Sequence, residues 1–253
     1  MSPPTSAAPR RSARLATTGS VWVVRHGQRA DQADGDWWLT APRPHDPELT
    51  ALGERQAAAA GTALAAGCGV QEIYSSPFLR CVQTAAQCAK ALGIDTIRIE
   101  PGLGEMLHEE WFDFRTEEHP DKRHGMPMDS GMSDAALRKR FGSLIDTSYS
   151  PLYDAVEREP GRASSCEKIH FPEHWHEGVD RYERTLKALR ERSPFALLVT
   201  HGAGVQACAE TAEGVDMAEM DIDYCCLTNL HRQGAWEWKC ATLASAKHTA
   251  DLE

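Results

Sequence analysis

Three apolar runs in this chain end in cationic or imidazole groups. Val21-Trp-Val-Val24 leads into Arg25-His26-Gly27, with Arg29 just beyond. Glu72-Ile-Tyr74 leads into Ser75-Ser-Pro-Phe-Leu-Arg80, and the run from Phe195 to Val199 leads into Thr200-His201-Gly202. If the three runs are neighbouring parallel strands, two arginines and two histidines share one pocket. Like charges gather in this way around an anion, and guanidinium forks match phosphate oxygens two at a time. A neutral imidazole facing phosphorus is a competent nucleophile. Its tautomer must then be set by a hydrogen bond to the other ring nitrogen. The leaving oxygen also needs a carboxylic acid to protonate it. Glu105, a few residues past a further short run, Thr96-Ile-Arg-Ile99, is the candidate, with Glu109 and Glu110 as competitors.

The elements that would position these groups alternate along the chain. Val21 to Val24 reads as a buried strand. A polar loop follows from about Gln28 to Leu49. Thr50 then has the character of an N-cap for an alanine-rich helix running to about Ala66, stopped by Gly67. Glu72 to Tyr74 is a second strand. The helix after it has Pro77 in its first turn, carries Arg80 near its start and ends before Gly93. Thr96 to Ile99 alternates as a third strand. Between Glu105 and Trp175 only Ala135 to Ile145 reads as helix, and a structureless connection of that length in a compact domain points to a covering insertion. Glu177 to Glu191 is amphipathic, with Val179, Tyr182, Leu186 and Leu189 on one face. Phe195 to Val199 is a further strand, Gly204 to Ala212 a helix, and Cys225 to Leu230 and Ala235 to Cys240 are final strands. This alternation predicts an α/β fold with helices on both faces of a mostly parallel sheet, and ligands in such sheets bind beyond the carboxyl ends of the strands.

The bulk properties narrow the function. The 253 residues suit one large α/β domain or two small ones, and the formal net charge of −10 disfavours nucleic acid as a partner. No apolar run has the length of a membrane span. The eight cysteines contain no CxxC pair and read as reduced thiols of a cytoplasmic protein. Residues 1–19 carry arginines and no acid; Pro3, Pro4 and Pro9 would interrupt a targeting helix, so a disordered tail is expected ahead of a domain spanning 20–253. His108-Glu109 lacks the second histidine of a zinc protease motif, because Phe112 stands there. Cys166, His170, His174 and His176 fit no standard zinc spacing. No metal and no cofactor are therefore expected.

Val24-Arg25-His26-Gly27 resembles the signature of the histidine phosphatase superfamily (phosphoglycerate-mutase-like, branch 1). Four further segments follow in the family's order: Asp46-Pro-Glu-Leu-Thr-Ala-Leu-Gly53, Tyr74-Ser-Ser-Pro-Phe-Leu-Arg-Cys-Val-Gln-Thr-Ala85, Glu100-Pro-Gly-Leu-Gly-Glu105 and Val199-Thr-His-Gly202. The wording is nearest to the Sts-type ubiquitin-associated and SH3-domain-containing phosphatases, and the resemblance covers about Val21 to Leu107 and Phe195 to Trp238. It implies a three-layer α/β/α sandwich with an inserted cap region, about 106–176, and a metal-independent phosphoric monoester hydrolase. It implies that His26 becomes a phosphohistidine. Arg25, Arg29, Arg80 and His201 would bind the phosphate, and Glu105 would serve as acid and then base. The partner would be a phosphorylated substrate, phosphotyrosine or a small phosphometabolite. A mutase-like phosphotransferase and a non-catalytic phosphate-binding scaffold are the alternative functions. The residues after Glu105 and after His201 depart from the family's usual pattern, which leaves the acid and the substrate pocket to be located by the structure.

Overall fold

The computed structural model describes residues 19–112, 131–154, 167–212, 215, 220–233 and 237–252. The expected disordered tail at 1–19 falls almost wholly outside them. Among the described residues there are eight strands: β1 (Ser20–Arg25), β2 (Glu72–Ser75), β3 (Ile97–Ile99), β4 (Tyr153–Asp154), β5 (Glu167–Lys168), β6 (Ala196–Thr200), β7 (Leu227–Gln233) and β8 (Glu237–Ser245). The α-helices are α1 (Ala30–Ala33), α2 (Trp37–Thr40), α3 (Ala51–Ala65), α4 (Leu79–Leu92), α5 (Asp134–Phe141), α6 (Trp175–Arg192) and α7 (Gly202–Glu210).

Six strands form one sheet in the order β3-β2-β6-β1-β7-β8. The first four are parallel to one another, while β7 pairs antiparallel with both β1 and β8. Central β6 is buried at all five positions, as a strand covered on both faces must be. One face packs Val24, Ile73, Leu197 and Val199 against Leu64 of α3, Val82 of α4 and Leu137 of α5. The other packs Val23, Tyr74 and Leu198 against Leu186 and Leu189 of α6 and Val205 of α7. The expected three-layer sandwich is present. β4 and β5 form a separate two-stranded parallel sheet in the stretch expected as an insertion. Part of that stretch belongs to the core: Leu137 and Ile145 are buried, and Ile145 bridges to Ile97 on β3.

Local chemistry accounts for the element ends. Thr50 caps α3 by accepting from the Gly53 amide at 3.0 Å, a contact worth about 1 kcal/mol. Gly93 ends α4 in the left-handed conformation, with φ of 67°. Several boundaries differ from the periodicity reading. α4 begins at Leu79 rather than at Pro77, because Phe78 is extended and the Pro77 carbonyl is taken by the Met132 amide at 3.0 Å; the Leu79 amide, unpaired within the helix, is capped by the distant carboxylate of Asp46 at 2.8 Å. The polar loop holds two one-turn helices, α1 and α2. The last two strands lie two or more residues later than expected, after a turn in which Cys225 has φ of 57°. Among the described residues no helix is long and apolar enough to cross a membrane.

Candidate active site

The parallel register sets the chemistry at one sheet edge. Arg25 at the end of β1 lies opposite Thr200 at the end of β6, and Ser75 at the end of β2 lies opposite Val199. The next residues out, His26, Ser76 and His201, are consequently neighbours. Backbone bonds extend the register past the strands: the His26 amide donates to the Thr200 carbonyl and the Ser76 amide to the Val199 carbonyl, both at 3.0 Å. The rings of His26 and His201 are 5.3 Å apart and inclined at 66°.

His26 is buried, and its Nδ1 lies 2.8 Å from the Gly27 carbonyl oxygen. A carbonyl only accepts, so Nδ1 carries the proton and Nε2 keeps its lone pair. Burial, reinforced by the charge of Arg80 and by His201 and Arg29, holds the imidazole well below its ordinary titration range. The ring is thus neutral with one free nitrogen, the state a nucleophile requires. The loop carrying it sits directly on the first turn of α3. A Cβ on Gly27 would lie 2.5 Å from the Gly53 carbonyl oxygen, and one on Gly53 would overlap the Gln28 carbonyl oxygen. Both positions need glycine for close backbone approach. Thr84 of α4 ties the same loop down, accepting from the Gly27 amide at 3.2 Å while donating to the Arg80 carbonyl at 2.8 Å.

Arg80 enters from the first turn of α4 and is 1% exposed. Its Nη2 donates to Glu105 Oε2 at 3.1 Å, and Nη1 is 3.7 Å from Asp46 Oδ1. Nε and Nη1 are buried without a hydrogen-bond partner. Buried donors in that condition are costly unless a ligand satisfies them. Arg29 joins from the loop after β1, braced by Asp31 through Nε at 2.9 Å and Nη2 at 2.5 Å.

His201 Nδ1 is 3.1 Å from both Glu105 Oε2 and Arg80 Nη2. Two donors converging on one carboxylate oxygen explain that triangle. The other ring nitrogen, Nε2, is 2.8 Å from Ser76 Oγ, and the hydroxyl donates to it. Burial lowers His201 to about 4, against the opposing pull of Glu105. Burial by itself would raise the Glu105 carboxyl, but His201, Arg80 and Arg29 together hold it well below the usual carboxylate range. Glu109 and Glu110 are exposed in a 3-10 turn, so Glu105 is the carboxylate that meets Arg80 and His201.

Arg25 stands differently. Its Nη1 donates to the Ile222 carbonyl at 2.5 Å, its guanidinium lies 4.2 Å from the centre of the Tyr224 ring, and its Nε is buried without a partner. Tyr224 in turn lies 5.8 Å from the His26 ring. Arg25 therefore reaches the histidine through a tyrosine that the sequence reading passed over. Ser76 and Asp46 lie within motif segments, but their roles depend on contacts with distant segments and leave no periodic signal.

A cleft of about 280 Å³ opens over Arg29, Arg80 and Glu105, walled by Asp31, Pro44, His45, Pro47, Trp111 and Phe112; His26 and His201 lie beneath these residues and do not line it. A larger cavity of about 590 Å³, lined by residues including Gln28, Gln56, Tyr224 and Lys247, contains none of His26, Arg80, Glu105 or His201. The ligand atoms of His26, Glu105 and His201 lie within 4.8 Å of one another, close enough to hold a cation. Arg80 and Arg29 beside them favour an anion instead. Cys166, proposed beside three histidines as a metal ligand set and set aside on spacing, lies outside the described residues. The rings of His174 and His176 stack 5.9 Å apart on the exposed start of α6.

Known proteins share this arrangement of fold and sequence. A family profile described as the histidine phosphatase superfamily (branch 1) matches residues 21–147, reaching into the stretch expected as an insertion. The human ubiquitin-associated and SH3 domain-containing protein A is 26% identical over 264 residues, covering 86% of this chain and 36% of that protein. The ecdysteroid-phosphate phosphatase of Drosophila melanogaster is 24% identical, covering 86% of this chain and 31% of that protein. The chain thus spans about a third of the length of these relatives. Among solved structures, the ecdysone phosphate phosphatase from Bombix mori in complex with tungstate superposes with a TM-score of 0.57 at 20% identity, covering 88% of this chain and 92% of that one. With the profile spanning half of its residues, the chain belongs to branch 1 of the histidine phosphatase superfamily.

Proposed function

We propose that this chain hydrolyses phosphate monoesters through a phosphohistidine formed on His26. The observation that carries the reading is the state of that ring: Nδ1 spent on the Gly27 carbonyl, the whole imidazole buried and neutral, beside an arginine with unspent donors. His26 Nε2 attacks phosphorus. Arg80 and Arg29, with Arg25 and with His201 once protonation of Glu105 frees its Nδ1–H, receive the phosphoryl oxygens, where charge spreads in the transition state. Glu105 protonates the leaving oxygen and afterwards takes a proton from the attacking water. The carboxyl is held ionised by Arg80, Arg29 and His201. A bound dianion that neutralises the two arginines releases it upward into the range of a proton donor.

The cleft supports a substrate with a flat or compact leaving group, because Pro44, His45, Pro47, Trp111 and Phe112 wall it beyond the cationic floor. Phosphotyrosine and small phosphometabolites both meet that description. Trp111 and Phe112 belong to the stretch at 106–176, which supports its reading as the region that shapes the substrate pocket. Buried free thiols at Cys81, Cys88, Cys208, Cys225 and Cys226 suit a reducing compartment and support a cytoplasmic location.

A phosphoester panel with released phosphate as the readout tests the function. Wild type turns over members of the panel, and His26→Ala, folded by circular dichroism, releases no phosphate. Turnover by His26→Ala at the wild-type rate refutes the nucleophile. Phosphoryl transfer to a second substrate without release makes the chain a mutase, and silence of wild type on every ester makes it a binding protein.

A further inference from the structure

We infer that Arg181 and Glu173 are positioning residues that hold Glu105 at the leaving group; the inference rests on the acid role proposed for Glu105. Arg181 lies on the buried side of α6, between Gly178 and Thr185, where the helix otherwise presents small or apolar residues to the core. All five of its N–H groups are spent. Nε and Nη2 make a fork on Glu173, both at 2.7 Å. Nη1 donates to the carbonyls of Gly102 at 2.8 Å and Gly104 at 3.1 Å, and Nη2 donates to the carbonyl of Glu105 itself at 3.1 Å.

Glu173 completes the clamp from the other side. Its Oε2 accepts from the Leu107 amide at 3.1 Å, and its own amide donates to the Leu107 carbonyl at 2.9 Å. Tyr182 donates to the Gly104 carbonyl at 2.5 Å, and Thr200, the neighbour of His201, donates to the Leu103 carbonyl at 2.8 Å. Every carbonyl from Gly102 to Glu105 is thereby gripped by a side chain. Apolar residues of the same volume would fill this space with at least equal stability, since a buried ion pair gains little over good packing. They could not bond the loop's carbonyls. A planar fork with five fixed donors bonds three of them, at Gly102, Gly104 and Glu105, while two donors hold Glu173, and it fixes the direction in which Glu105 leaves the chain. Its carboxylate then meets Arg80 and His201 at 3.1 Å. No side chain of the clamp is among those lining the phosphate cleft, so the effect on chemistry runs through Glu105.

The test compares a poor leaving group, an alkyl phosphate, with a good one, 4-nitrophenyl phosphate, which departs with little help from an acid. Glu105→Gln is the reference. In Arg181→Lys and Glu173→Gln, kcat on the alkyl ester should fall about ten- to a hundredfold more than on the nitrophenyl ester, as loss of a general acid does. The inhibition constant of orthovanadate should stay close to wild type, because the cationic floor is untouched. Tyr182→Phe, a milder change that removes one bond to the loop, should show the same selectivity more weakly. Equal losses on both esters, or no loss, in folded variants overturn the positioning role. If the two ionic variants do not fold, absence of selectivity in Tyr182→Phe overturns it. If Glu105→Gln itself shows no selectivity, the acid assignment fails, and the positioning role fails with it. Selectivity in Glu105→Gln without selectivity in the clamp variants refutes the clamp alone.

Discussion

Arg80→Lys separates charge from geometry at the phosphate site. The guanidinium is held by Glu105 at Nη2, and its Nε and Nη1 remain buried without a hydrogen-bond partner. Those donors are the ones a transferring phosphoryl group would receive. Lysine keeps the positive charge near Asp46 and Glu105, so the electrostatic surroundings of the carboxyl change little. It offers one nitrogen in place of three. If that nitrogen takes the Glu105 contact, the phosphoryl contacts are lost; if it turns to the phosphoryl group, Glu105 loses its partner. A hydrogen bond to a charged group is worth about 1.5–3 kcal/mol, so one to two lost contacts amount to about 1.5–6 kcal/mol, or at least roughly tenfold in kcat/KM. The assay is kcat/KM on 4-nitrophenyl phosphate beside the inhibition constant of orthovanadate, with a thermal melt to confirm folding. Both kinetic constants should deteriorate together. A folded Arg80→Lys enzyme within threefold of wild type would refute bidentate binding by Arg80 and, with it, the meaning given to the unspent donors.

Two other outcomes follow from the same geometry. His26 and His201 are buried in their neutral forms, so their folded titration points lie below those of the unfolded chain. As pH falls below about 6.5 the unfolded state gains protons that the folded state refuses, and these two groups lower stability. His201, lowered to about 4, alone removes about 2 kcal/mol between pH 6.5 and 5. Asp46 and Glu100, whose carboxyls burial raises, act in the opposite direction, so the readout is the difference between urea midpoints at pH 7 and pH 5 in wild type and in His201→Gln; a variant with the wild-type difference would show that His201 is not buried neutral. Gly27→Ala forces a Cβ to within 2.5 Å of the Gly53 carbonyl oxygen. It should cost about 1–3 kcal/mol of stability and most of the activity by displacing His26; a melt and a rate unchanged from wild type would show that the loop is not packed on α3 in this way.

Much of the site was legible because its chemistry is tied to strand exits. Arg25-His26-Gly27, Arg80 in a first helical turn and Thr200-His201-Gly202 are local patterns, and the apolar runs before them already indicate strands. The gap at Asp46 shows where local reading stops. Its neighbours read as a lead-in to α3, yet its carboxylate caps the first turn of α4 at the Leu79 amide and sits beside Arg80. Arg181 did leave a trace, as a charge inside the face marked by Tyr182, Leu186 and Leu189. Helical periodicity can flag such a residue and cannot say which carbonyls it will meet. The choice among Glu105, Glu109 and Glu110 was open for the same reason, since three carboxylates within six residues differ only in where the chain turns.

Residue type and order along the chain were sufficient to determine the strand and helix alternation, the layered α/β sheet, and the placement of imidazole and guanidinium groups at the strand exits, because each rests on interactions within one element or on a motif written in a single stretch. The tautomer of His26, the neutrality of both histidines, the selection of Glu105, the tie between Arg25 and Tyr224, and the grip of Arg181 on the acid loop were decided only by tertiary structure. They depend on which distant groups come within about 3 Å and on how much water is excluded around them, and hydrogen bonding and desolvation act only at that range.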